Sequence, residues 1–283
     1  MNRLRLLHGI GRAVTRFLLS PPLRATRVGL WAYTRLYLAG KDLADRGARR
    51  FLASRVEPGM VVLDIGANVG FYSLFFADLV GPHGRVYAFE PDPLSRRILE
   101  DRRRAAGLPN LEVVPAALGD REGRVTLYCN PANRADNRLH ASLEGPGVEA
   151  VDVPLTTLDT FRAEKGISRI DAIKMDIQGA EVAALRGMRE VMRQTPPRWL
   201  FLEFEPELLR GAGASPEQLW ALLDEYGYEA FSIGENGQAA PVTDREGLAR
   251  RHATGYVDLW LLRREGKDSK DNKDSKDDRP GGL

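Results

Sequence analysis

The chain has one cysteine, Cys129, and only four histidines in 283 residues. A single thiol excludes internal disulfides and cysteine-rich zinc sites, and suits a reducing compartment such as the cytoplasm. Cys129 is read as a small buried filler rather than a nucleophile. The histidines have no metal-ligand spacing, so no metal is expected. Net charge is also scarce, at a formal +2, which by itself gives no argument for nucleic acid. The run Arg102-Arg103-Arg104 has no interleaved aromatics for base stacking, and a solvated helix face accounts for it. Acids are absent from residues 1–41, which carry seven arginines and one lysine. Arg12 and Arg16 interrupt the apolar stretch 4–19, so it is a poor signal peptide and too short and charged to span a bilayer. We read residues 1–55 as a basic helical segment, broken at Pro21-Pro22, that covers the fold and walls the substrate site. Peripheral contact with an anionic inner membrane face is the alternative. Residues 267–278 repeat Lys and Asp with nothing apolar to bury, and the tail 265–283 is expected to be disordered.

What is present organises itself around residues 61–73. Val61-Val62-Leu63-Asp64-Ile65 reads as a buried strand, Gly66 and Gly70 make a turn, and Phe71-Tyr72-Ser73 begins an apolar helix. Strand, glycine turn and helix form the first unit of an open α/β fold, which binds ligands at the carboxyl ends of its strands. Asp64 stands before the turn, and an anion there favours an ammonium or a sulfonium over a pyrophosphate. The second strand ends in Glu90, twenty residues beyond Gly70, where an acid accepts ribose hydroxyls and excludes a 2′-phosphate. A ribose, a positive amine and no phosphate fit S-adenosyl-L-methionine better than NAD. Gly66, Asn68 and Gly70 are expected to shape the donor pocket, with Asp64 on the amine directly or through water and Glu90 on the ribose.

Further strands are expected at 111–116, 170–176, 198–205, 228–233 and 256–262. An exposed pair is expected at 124–129 and 150–155, and one helix at 182–192. The loop 130–147 is long for a compact domain; with Asn133, Asn137, His140 and Ser142 it is assigned to acceptor recognition. The connection 234–255, in which no helix is evident, is expected to lie over the site as a lid. Ser215-Pro216-Glu217-Gln218 is a capping box.

Asp64-Ile65-Gly66-Ala67-Asn68-Val69-Gly70-Phe71-Tyr72-Ser73, Phe89-Glu90-Pro91, Ala117-Leu118-Gly119-Asp120 and Lys174-Met175-Asp176-Ile177-Gln178-Gly179-Ala180-Glu181 together resemble the FkbM-type methyltransferases. The resemblance covers roughly residues 56–263, with Gln178 standing where that family usually has glutamate. It implies a class I methyltransferase domain over 56–264: an α/β, Rossmann-like open sheet, mostly parallel with an antiparallel strand, and helices on both faces. It also implies S-adenosyl-L-methionine as donor and O-methylation of a sugar, glycan or natural-product hydroxyl. In that architecture Asp120 lies near the adenine and Asp176 faces the transferring methyl. Asp176, His140 and Glu203 are the candidate catalytic residues. Glu203, Glu205 and Asp176 at strand ends suggest an acidic cluster for acceptor hydroxyls, or for Mg²⁺ as the lesser alternative. The rival functions are an NAD-dependent oxidoreductase and a non-catalytic scaffold in a membrane-associated glycan assembly.

Overall fold

The computed structural model describes residues 27–131, 133–141 and 147–264. The expectations for residues 4–19, Pro21-Pro22, Ser142 and the charged tail lie outside the described residues. Among the described residues the first elements are two helices, α1 (Arg27–Ala44) and α2 (Arg46–Ala53). They are built onto the sheet: Phe51 and Leu52 of α2 belong to the same apolar cluster as Val62, Phe76 and Trp260. Each such buried side chain contributes about 1.5–3 kcal/mol relative to exposure.

The central unit follows the glycine turn as expected. Strand β1 (Val61–Ile65) enters α3 (Phe71–Val80), and β2 (Arg85–Phe89) enters α4 (Pro93–Ala106). Asp92 starts α4 by accepting the backbone N–H groups of Leu94 and Ser95, and Gly107 ends it. After β3 (Leu111–Val114) the chain leaves the main sheet for a small one of β4 (Ala117–Leu118), β5 (Gly123–Cys129) and β6 (Glu149–Thr156), in the order β4-β6-β5. Strands β5 and β6 are the expected antiparallel pair. Helix α5 (Leu158–Lys165) leads back to β7 (Ala172–Met175).

The helix expected at 182–192 is two helices, α6 (Glu181–Arg186) and α7 (Arg189–Gln194). Gly187 sits so close to the small sheet that a Cβ there would lie 1.8 Å from the Gly119 carbonyl oxygen. The break is then capped from outside, since the Asp159 carboxylate accepts the N–H groups of Glu190 and Val191, both at 2.9 Å. Beyond it come β8 (Trp199–Phe204), α8 (Pro206–Gly211), α9 (Pro216–Glu225), β9 (Tyr228–Ile233), β10 (Ala239–Pro241), α10 (Arg245–Arg251) and β11 (Val257–Arg263). The capping box at Ser215 and Gln218 forms in full.

The main sheet has the order β10-β9-β11-β8-β7-β1-β2-β3. Strands β3, β2, β1, β7 and β8 are mutually parallel. Strand β11 runs antiparallel between β8 and β9, inside the sheet rather than at its edge. Helices α5, α6, α7 and α9 cover one face and α2, α3 and α4 the other. This is the expected open, mostly parallel α/β sheet with an antiparallel strand. The order in which strands are laid down reverses at β1, which has β2 on one side and β7 on the other, so its carboxyl end is the switch point where ligands bind in such sheets.

The connection 234–255 corrects two expectations. It contains α10, and none of its residues lines the cavities described below. It packs sideways: Arg245 pairs with Asp224 and covers the Trp220 ring, while Gly237 abuts Gly47 of α2. Among the described residues no helix is long and apolar enough to cross a membrane.

Candidate active site

A cavity opens at the carboxyl ends of β1, β2 and β7. The turn after β1 forms one wall, and the reason for its glycine is visible. Gly66 has φ +82°, and a Cβ on it would stand 1.9 Å from the Asp176 carbonyl oxygen, so only glycine lets the β1 and β7 ends meet. The turn is pinned to β2, with the N–H groups of Gly66 and Ala67 donating to the Phe89 carbonyl. Asn68 adopts φ +49°. Its side-chain oxygen accepts from Val69 N–H, and its amide donates to the Arg134 carbonyl at 3.3 Å.

Glu90 lies on the floor and is buried. Its two oxygens accept one backbone N–H each, from Asn68 at 2.6 Å and Asp92 at 2.8 Å. Burial, helped by the Asp92 charge, outweighs those bonds and pushes its pKa up to about 8. One acceptor position per oxygen is left for a ligand diol. The far end is apolar, lined by Ala116, Ala117, Leu118 and Leu127, and suits a flat ring.

Asp176 lines the other end, beside Gln178. Gln178 has φ +54°, and its amide donates to Asp176 at 2.9 Å and to Glu203 at 3.1 Å. One side chain thus holds two carboxylates together. Burial would raise Asp176, but Lys174 and Lys41 outweigh it and hold the carboxyl below its ordinary range. Glu203 moves the opposite way, raised well above the usual value by burial and by the charges of Asp176 and Asp258. Glu181, whose pKa burial raises to about 7, accepts the N–H groups of Ile177 and Gly179 and so braces this loop.

Several expected site residues are placed elsewhere. Asp64 is wholly buried behind the turn, where it accepts the Ser73 hydroxyl at 2.5 Å and lies 3.5 Å from Lys174. It does not line the cavity, because its position in β1 turns it into the layer beneath. Gly70, at φ +81°, starts α3 and also shapes the turn from outside the cavity. Asp120 is on the surface paired with Arg121; the chain turns into β5 before it can reach the ring end. His140 Nε2 is 3.1 Å from the Gln178 carbonyl, so that nitrogen donates and is not a base. Burial lowers the ring's pKa, and the ring lines neither cavity. Glu205 leaves the acidic cluster, because β8 stops at Phe204 and Glu205 begins α8. Among the described residues no group of three or more His, Cys, Asp or Glu side chains is placed to hold a metal.

Three contributions were missed. Tyr37 and Lys41 of α1 line the cavity; their spacing with Tyr33 along one helix face was the available signal. Lys174 ends up among carboxylates, 3.6 Å from Asp176. Arg134, in the loop assigned to the acceptor, is buried against Asp92 at 2.9 Å and reaches Glu149 at 3.0 Å. It docks Ala135, Asn137 and Leu139 against the cavity. Cys129 is a buried filler, with burial pushing its thiol to about 12.

The family model described as Methyltransferase FkbM domain matches residues 64–230. The chain is 28% identical over 181 residues to 2-O-methyltransferase NoeI of Sinorhizobium fredii, covering 58% of this chain and 71% of that protein. It is 33% identical over 174 residues to 31-O-demethyl-FK506 methyltransferase FkbM of Streptomyces tacrolimicus, covering 50% and 65%. Among solved structures, Methyltransferase FkbM from Methylobacillus flagellatus KT has a TM-score of 0.44 at 18% identity, covering 72% of this chain and 44% of that one.

Proposed function

The chain belongs to the FkbM family of S-adenosylmethionine-dependent methyltransferases, and from that premise we propose that it transfers a methyl group to a hydroxyl oxygen of a sugar, glycan or natural product. The observation that supports this most is Glu90, a buried acid with one acceptor position left on each oxygen, between an apolar ring pocket and a pair of clamped carboxylates. In this reading Glu90 takes both ribose hydroxyls, Gly66 and Asn68 border the amino-acid arm, and the adenine lies against Ala117 and Leu118. The donor supplies an electrophilic methyl on a sulfonium. The rest falls to the protein: it excludes water, and it holds an acceptor oxygen in line with the carbon–sulfur bond. Positioning of this kind accounts for about 7–11 kcal/mol of barrier lowering in well-aligned systems.

The acceptor oxygen forms its new bond to the methyl carbon as sulfur leaves with the bonding pair, and the hydroxyl proton must go to a base. Among Asp176, His140 and Glu203 we assign it to Glu203. Its raised pKa makes it the stronger base once ionised, worth about 10²–10⁴-fold. Asp176, held ionised by the two lysines, orients the hydroxyl. The names of NoeI and FkbM, a 2-O-methyltransferase and a 31-O-demethyl-FK506 methyltransferase, support oxygen as the acceptor atom.

The test uses donor labelled in the methyl group and a panel of hydroxylated glycans and macrolides. Label is expected in a product that resists mild alkali, as a methyl ether does. Label released by alkali as methanol, or found on nitrogen, would refute O-methylation; no transfer to any acceptor would favour the scaffold. Peripheral membrane contact is retained as a proposal, because α1 exposes Val28, Trp31, Leu36 and Leu43 beside the basic sequence 1–41. Sedimentation with vesicles containing phosphatidylserine, but not with neutral ones, is the expected result.

A further inference from the structure

A second, narrower chamber adjoins the first and shares Lys41, Tyr72, Lys174 and Asp176 with it. Its remaining walls include Asp45, Glu203, Tyr256 and Asp258. The matched family segment runs from 64 to 230, so Lys41 of α1, Asp45 between α1 and α2, Tyr256 just before β11 and Asp258 within it all lie outside it. The fold explains how they meet. Inserting β11 beside β8 puts Asp258 directly opposite Glu203, while α1 and its junction with α2 bring Lys41 and Asp45 over the strand ends.

The chamber's charges are unevenly matched. Lys41 is paired with Asp45 at 2.9 Å. Among the described residues, no lysine or arginine stands within salt-bridge distance of Glu203 or Asp258. Both carboxyls are displaced upward, Asp258 to about 7, by burial and neighbouring acids. Lys174 is the second telling feature. Its side chain is only 5% exposed and lines both chambers, yet its nearest carboxylate oxygens are 3.5 and 3.6 Å away. These ion pairs are longer than the usual N–H···O range of about 2.7–3.2 Å, which gives the ammonium room to shift toward a ligand oxygen.

Resting on the methyltransferase reading, we propose that this second chamber is the acceptor subsite, that it takes a neutral polyol arm, and that Asp258 and Tyr256 set its specificity. Ligand hydroxyls donate to Glu203 and Asp258 and accept from Lys174, and the Tyr72, Phe201 and Tyr256 rings supply the apolar faces. Both lysines of the chamber already face carboxylates, so no cation is left to pair with a phosphate or carboxylate on the acceptor, and a charged acceptor would have to be buried beside Asp45, Asp176, Glu203 and Asp258. Acceptor choice is thus made by elements outside the family-matched segment.

The experiment loads the full chain with S-adenosylhomocysteine and records saturation-transfer NMR with methyl glycosides of fucose, rhamnose, mannose, glucose and glucuronic acid. At least one neutral glycoside is expected to bind, with the glucuronide weaker than the glucoside by about tenfold. D258N should narrow that gap to about threefold or less, and Y256A, which removes the ring face, should weaken the neutral sugars by about fivefold, both leaving S-adenosylhomocysteine affinity within about twofold. Equal binding of glucuronide and glucoside, no signal from any glycoside, or variants indistinguishable from the native protein would overturn the proposal. Failure of the native protein to bind S-adenosylhomocysteine is a separate result, and overturns the donor reading beneath it.

Discussion

Replacing Glu90 by glutamine exchanges one carboxylate oxygen for an amide nitrogen at the floor of the donor cavity. In the native protein each oxygen accepts one backbone N–H, from Asn68 at 2.6 Å and from Asp92 at 2.8 Å. A glutamine oxygen can serve only one of them, so its NH₂ must face the other N–H. A buried donor left unsatisfied costs about 1–3 kcal/mol, which should appear as a lower Tm. The donor loses more specifically. One of two charge-assisted bonds to the ribose disappears, worth about 1.5–3 kcal/mol, and the remaining oxygen no longer carries a full charge. Together these imply about 2–4 kcal/mol, or roughly 30- to 1000-fold weaker binding. Calorimetry with S-adenosylhomocysteine, beside thermal melts of both proteins, separates the two effects. Affinity within threefold of the native value, in a variant that melts cooperatively, would refute the assignment of Glu90 to the ribose.

Gly66→Ala should abolish donor binding and destabilise the fold by more than about 2 kcal/mol, since a left-handed φ costs about 1–2 kcal/mol before the clash with Asp176; a native urea midpoint would contradict this. Arg134→Ala strands the buried Asp92 carboxylate, at a cost of about 3 kcal/mol, and should expose Cys129 to thiol reagents that leave the native protein unlabelled. The free protein should lose stability as pH rises from about 5 to 8. Glu90, Glu181 and Asp258 have folded pKa values of about 8, 7 and 7, above their ordinary range, so the folded state binds more protons there and deprotonation favours unfolding. A urea midpoint that climbs between pH 5.5 and 8 would contradict that sign.

The parallel half of the sheet was legible because each strand is a short apolar run ending at a glycine turn or an acid. Gly66, Asn68, Glu90 and Asp176 were legible for the same reason: in an α/β sheet the strand ends are where ligands sit. What depended on tertiary packing was not. The break at Gly187 needs the Gly119 carbonyl and the Asp159 carboxylate, both distant in sequence. Helix α10 is short and charged, without a clear apolar period. Strand β11 was read as a strand, but not that it would enter between β8 and β9 and set Asp258 against Glu203. Tyr37 and Lys41 share a face of α1 with Tyr33, and the segment was expected to wall the site, but that spacing alone does not say which of its residues reach the cavity. Asp64 and Asp120 were read as ligand-facing because each stands in a motif; packing, which the motif does not show, puts one in the layer behind the turn and the other on the surface.

The central claim is the donor, and the most direct measurement is parallel calorimetric titration of the native protein with S-adenosylmethionine, S-adenosylhomocysteine and NAD. Micromolar binding of both sulfur nucleosides, with no heat from NAD, is the predicted result. Binding of NAD with silence from both sulfur nucleosides would contradict it.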